Sequence, residues 1–295
     1  MTIRRSITTG RRNTSSVLLP ALLCALAGAA VLAAEEPRDI VLRSAELDQR
    51  DLESAKNYAY VARTEQRRLN SSGKTTSVEA ETHEVLILYG SPYRRLIAKS
   101  DKPLSADQER NEQKKIDKEL ERRRKATAKD PERLAREESK SRQEQAAMIR
   151  EVADAYSFRM LGEEDVDGHA TWAIQAEPIP GYRPRSRRAK LLPNFRGKIW
   201  ITKNDYRWVK VEAEVIRTVS FGLVLARLQP GTRVAFEQKR VQGEIWLPSS
   251  VHMTLSARLA LLKKLNAEID VTFSDYRKFQ SDSRIIEMTE APPAQ

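Results

Sequence analysis

The residue types that carry chemistry are scattered along this chain. It has three histidines, His83, His169 and His252. They fall on different expected elements, without the spacing that gathers imidazoles on one metal ion. No serine lies in a G-x-S-x-G elbow, where a strained turn would lift a nucleophile above a sheet. No glycine-rich loop is present to cradle phosphate. The acidic run Glu163-Glu164-Asp165 falls beside a turn, where solvation accounts for it. The expectation is a protein that is not an enzyme, with no catalytic residues, no metal and no cofactor.

Two other patterns do suggest binding. The densest basic run is Arg183, Arg185, Arg187, Arg188 and Lys190, in a loop flanked by prolines. It reads either as a solvated connector or as an anion contact for a lipid headgroup, a membrane surface or an acidic partner. Near an anionic bilayer each cation adds up to about 1 kcal/mol. The second pattern is apolar. In 250–262, Val251, Met253, Leu255 and Ala257 alternate with His252, Thr254 and Ser256, and in 208–218 Val209, Val211, Ala213 and Val215 alternate with charge. The segment 221–228 is apolar on both sides. These residues supply a candidate hydrophobic ligand cavity of Val211, Val215, Phe221, Leu223, Met253, Leu255 and Trp200. The tryptophans Trp172, Trp200, Trp208 and Trp246 serve either as plain core or, for one or two, as cavity wall. Burial contributes roughly 0.8 kcal/mol per CH2, so a long acyl chain would gain on the order of 10 kcal/mol before ordering costs. Such a site leaves no polar motif.

Alternation at period two predicts strands over 58–69, 75–89, 93–99, 170–176, 196–202, 208–218, 221–228, 233–240, 244–247, 250–262 and 265–279. The short links between them make the pairing antiparallel. An amphipathic helix is predicted over 39–56, with Ile40, Leu47 and Leu52 as its stripe. The texture changes over 104–155, which is rich in Glu, Lys, Arg, Gln and Ala. Asp130-Pro131 divides it into two helices, 105–128 and 131–153, with Pro131 opening the second. No heptad persists, so this pair reads as a solvated excursion from the sheet or as a partner-binding arm or lid.

The N-terminus bounds the compartment. Arg4, Arg5, Arg11 and Arg12 precede the apolar run Val17–Leu32, and the small residues Ala33 and Ala34 precede Glu35. That order is a secretory signal, with cleavage expected near Ala33/Ala34. The run is shorter than the ~20 residues that span a bilayer. Cys24 lies inside it and is the only cysteine, so the mature chain would have no thiol. The net charge is +11, and losing those four arginines leaves +7, a balance suited to anionic lipid. Export disfavours nucleic acid as a partner. The expected organisation is a signal peptide at 1–34, a single domain at 35–280 with the helical insertion near 104–155, and a disordered tail at 281–295. The expected location is the periplasm.

A resemblance sharpens this. Arg196-Gly-Lys-Ile-Trp-Ile-Thr-Lys-Asn-Asp-Tyr-Arg-Trp-Val-Lys-Val-Glu212 looks like the central hairpin of the LolA/LolB-type lipoprotein-sorting superfamily. Phe236-Glu-Gln-Lys-Arg-Val-Gln-Gly-Glu-Ile-Trp-Leu-Pro248 resembles the next hairpin of that group. The match covers roughly 40–100 and 156–279. It implies an α+β fold that is mainly β: a curved antiparallel half-barrel sheet with an N-terminal helix, carrying the charged helical pair as an insertion. It implies a carrier or sensor for a lipid or an acylated lipoprotein ligand. The alternative is an envelope scaffold that binds no lipid and docks a protein partner through the sheet or the charged helices.

Overall fold

The computed structural model describes residues 35–186, 188–221, 226–259 and 263–278. The expected leader with Cys24, the expected tail, Arg187 and Leu223 lie outside the described residues.

The chain opens with α1 (Pro37–Ala55), followed by β1 (Tyr58–Leu69), β2 (Thr75–Leu88), β3 (Ser91–Lys99) and the short β4 (Lys102–Pro103). Two helices come next, α2 (Ala106–Lys129) and α3 (Pro131–Ala155). The remaining strands are β5 (Tyr156–Val166), β6 (His169–Pro178), β7 (Phe195–Thr202), β8 (Trp208–Val215), β9 (Val219–Phe221), β10 (Ala226–Leu228), β11 (Arg233–Val241), β12 (Ile245–Leu259) and β13 (Lys263–Lys278). A 3-10 helix (Ala189–Asn194) sits between β6 and β7.

All pairings are antiparallel, and the main order is β4-β3-β2-β1-β13-β12-β11-β8-β7-β6-β5. The sheet is curved and open, with β4 and β5 at its edges. This is the α+β architecture expected from the sequence. One aspect was not expected. The helical pair joins β4 to β5, so it carries the chain from one edge of the sheet to the other. A 24-residue helix is about 36 Å long. Ser105 starts α2 with a reciprocal cap: its Oγ accepts from Gln108 N, while its own N–H donates to Gln108 Oε1 at 2.9 Å.

Two strand expectations change. In place of separate strands at 244–247 and 250–262, one strand, β12, runs over Ile245–Leu259 across Pro248. The β12–β13 ladder begins at Ser250, so Pro248 has only β11 beside it, where a missing N–H is tolerated. The segment 221–228 is not one strand. Its described parts fall on β9 and β10, which pair antiparallel, and β10 attaches to β12 off the main path.

The two faces of the sheet differ in chemistry. One face packs against α1, where Ile40 and Val41 are buried with Ile174 and Ile201. Each such side chain contributes roughly 1.5–3 kcal/mol. The other face carries a charge ladder: Arg196–Glu214 at 2.8 Å, Lys198–Glu164 at 2.8 Å, Arg67–Glu268 at 3.1 Å and Arg63–Asp101 at 2.7 Å. Pairs this exposed each add little to stability. Their alternating sign keeps the face solvated and penalises a one-residue slip in register.

Candidate functional site

Cross-strand register lines up apolar residues on the helix side. One row runs Ile174, Ile199, Val211, Phe236, Val251 and Val271 across six strands. The next runs Ala176, Gly197, Ala213, Val234, Met253 and Ile269. Directly paired residues in an antiparallel sheet share a face, so the rows form one continuous apolar surface. Its β6–β7 end is closed by α1. Farther along, Phe236 is 38% exposed, and Val251 and Met253 are half-buried.

Between α1, α3 and the sheet lies a groove of about 350 Å³. Val41 and Leu42 of α1, Met148, Ile149 and Val152 of α3, and Ile199, Ile201, Trp208 and Val211 of the sheet line it. The polar lining is Ser44, Asp48, Gln49 and Gln145. Ser44 is 3% exposed, and among the described residues its Oγ has no hydrogen-bond partner. Asp48 Oδ1 accepts from Gln238 Nε2 at 3.2 Å. Nearby, Asp51 pairs with Arg207 at 2.9 Å. Burial pushes the Asp51 carboxyl above its ordinary range, outweighing the pull of Arg207.

The opposite face holds a larger hollow of about 630 Å³, lined by Arg196, Lys198, Glu212, Glu214, Arg233 and His252 among others. Its charges are engaged with one another, as in Arg196–Glu214 and, at 3.6 Å, Arg233–Glu214. His252 Nδ1 lies 2.5 Å from Asp270 Oδ1. His169 packs against Trp246 with ring centroids 5.0 Å apart, and His83 lies 3.4 Å from Arg94. Among the described residues, no group of three His, Cys, Asp or Glu stands close enough to hold a metal ion.

The structure divides the residues singled out from the sequence. Val211, Met253 and Leu255 share the apolar face, and Val211 lines the groove. Val215 is on that face too but is 2% exposed, sealed as core. Phe221 ends β9, away from the rows. Trp200 must be corrected: it pairs with Lys210 and Ala173, one residue out of phase with Ile199, and so stands on the charged face. There its Nε1–H donates to Glu164 at 2.7 Å, while Lys198 Nζ lies 4.2 Å above its ring. Trp208, not Trp200, reaches the groove. The helix contributions were missed, although Met148 and Val152 stand one turn apart, as do Val41 and Ala45.

The basic loop is tied to α3. Glu151, buried in α3, accepts from Tyr182 Oη–H at 2.9 Å and from the backbone N–H groups of Arg185 and Ser186. Arg185 pairs with Asp154 at 3.0 Å and Arg188 with Glu144 at 3.5 Å. Arg183 and Lys190 are exposed.

No family model matches the chain, and no curated protein matches it. A solved DUF1329 family protein from Desulfovibrio piger is 11% identical, with 84% of this chain and 96% of that chain covered and a TM-score of 0.35. A solved domain described as an outer membrane lipoprotein-sorting protein, from Vibrio parahaemolyticus, is 12% identical, with 83% and 95% covered and a TM-score of 0.35. A LolA superfamily protein from Nitrosomonas europaea is 11% identical, with 84% and 94% covered and a TM-score of 0.29. The chain is similar to LolA-like structures. At these identities and TM-scores the likeness carries no argument about this chain, and the groove's chemistry rests on its own residues.

Proposed function

We propose that this protein is a non-enzymatic binding protein of the bacterial envelope that holds an apolar, acyl-type ligand between α1, α3 and the sheet. The observation that carries this reading is the groove itself. Its walls are aliphatic side chains and Trp208, and the same face continues in register to the exposed Phe236. Concave sites with apolar walls and few polar groups are the usual form of small-ligand sites. The basic leader followed by the apolar run Val17–Leu32 supports export to the periplasm. Exposed Arg183 and Lys190 suit an anionic membrane surface on which such a ligand would be collected.

A second reading has its own support. The exposed Phe236, beside half-buried Val234, Val251 and Met253, is also the kind of surface that a protein partner covers.

Native mass spectrometry of the protein purified from cells tests both. A lipid-sized adduct that is lost in Val211→Asp is the expected result. A clean apo mass with a stoichiometric protein partner would favour docking over carriage.

A further inference from the structure

Resting on the reading of the groove as an acyl site, we infer that it takes a single acyl chain joined through an uncharged ester or amide, and that Ser44 Oγ–H donates to the carbonyl of that link.

The size of the groove sets the chain number. About 350 Å³ lies at the small end of the roughly 300–1,000 Å³ range of ligand sites. The space suits one chain and not the two or three of a membrane lipid or lipoprotein anchor.

The polar lining sets the linkage. Ser44 lies in α1 between Val41 and Ala45, which also line the groove. Its hydroxyl is buried, with no partner among the described residues. A helical serine ordinarily turns back to the carbonyl one turn earlier or out to water. A buried donor left unmade is costly, and an acceptor arriving with the ligand removes that cost. Asp48 lies one turn farther along the same helix and brings a carboxylate to the lining. Among the described residues, no Lys or Arg lines the groove. A fatty-acid carboxylate, a phosphate or a sulfonate placed there would meet like charge without a counter-ion in the lining. A neutral ester or amide carbonyl meets none of this. Gln49 and Gln145, which face the groove from α1 and α3, offer amide groups to a neutral polar head such as glycerol.

The test is equilibrium binding of 1-monolauroylglycerol, laurate and 1,2-dilauroylglycerol to the full mature chain, by displacement of a fluorescent acyl probe. Monolauroylglycerol is expected to bind at least tenfold more tightly than either of the others. Ser44→Ala is expected to weaken it about three- to tenfold, the worth of one hydrogen bond, and to leave laurate unchanged. Should Ser44→Ala unfold, as a thermal melt would show, the nearly isosteric Ser44→Cys carries the same expectation with a smaller loss. Laurate or the dilauroyl ester binding as tightly as the monoester would overturn the inference, and so would unchanged monoester affinity in the serine variants. In those cases the groove still binds acyl chains and the broader reading stands. If none of the three displaces the probe, the broader reading falls as well.

Discussion

Asp51 of α1 and Arg207 of the β7–β8 turn meet with Oδ2 and Nη1 2.9 Å apart, both mostly buried. The pair anchors the C-terminal half of α1 over the sheet, within one turn of Asp48 and Gln49 in the groove lining. Burial has raised the Asp51 carboxyl in spite of its partner, so its ionised form is held at some cost. The two halves should therefore differ on removal. Asp51→Asn discards the costly charge but leaves Arg207 facing a neutral amide, and should cost about 1–2 kcal/mol at pH 7. Arg207→Ala leaves the carboxylate buried alone and should cost about 2–4 kcal/mol. That loss should shrink as pH falls and Asp51 takes up a proton. Urea denaturation of both variants at pH 7 and pH 5 checks this; equal losses would refute the asymmetry.

Glu151 joins α3 to the basic loop and titrates in the other direction. Burial pushes its carboxyl up, but the donors from Arg185, Ser186 and Tyr182 outweigh it and hold it below the usual carboxylate range. An acid whose folded value is depressed adds stability above its unfolded value and loses it as pH falls through the folded one. Stability should therefore drop on acidification below about pH 4.5. Glu151→Gln should flatten that limb and cost about 1–3 kcal/mol at pH 7. Thermal melts from pH 7 to pH 3 would show it.

Gly197 is required by the sheet and not by a turn. A Cβ there would lie 2.9 Å from the carbonyl oxygen of Glu212 on the paired strand. The contact is with backbone, so neither side can yield by rotating a side chain. Gly197→Ala should destabilise by about 1–3 kcal/mol, read as a lower urea midpoint at unchanged slope.

Within the basic loop, the cations divide by their engagement. All four of Arg183, Arg185, Arg188 and Lys190 are exposed, and of these Arg185 and Arg188 also form ion pairs with α3. Replacing Arg183 and Lys190 together by Ser should weaken binding to anionic liposomes about tenfold at low salt, since each contributes up to about 1 kcal/mol. The Arg185/Arg188 double serine variant should weaken it less. Liposome co-sedimentation compares them, and equal binding by wild type and the Arg183/Lys190 variant would dismiss the loop as a membrane contact.

The local order of this protein was legible along the chain. Alternation placed β1, β2, β7, β8 and β11 within a few residues, and the change to Glu, Lys, Arg and Ala marked α2 and α3, because side-chain period is a local property of the backbone. The same alternation put Val211 and Met253 on one apolar face. It left open which neighbour of Ile199 would join them. Trp200 has the bulk for a cavity wall, yet a period of two sends it to the charged face, where Lys198 and Glu164 engage it. Only tertiary structure decided the rest. The first strand pairs with the last, Thr64 opposite Val271, and the helical pair links the sheet's two edges. The groove exists because α1 and α3, about a hundred residues apart, converge on β7 and β8. Contacts of such separation depend on chain closure and packing of whole faces, and no stretch of sequence records them locally.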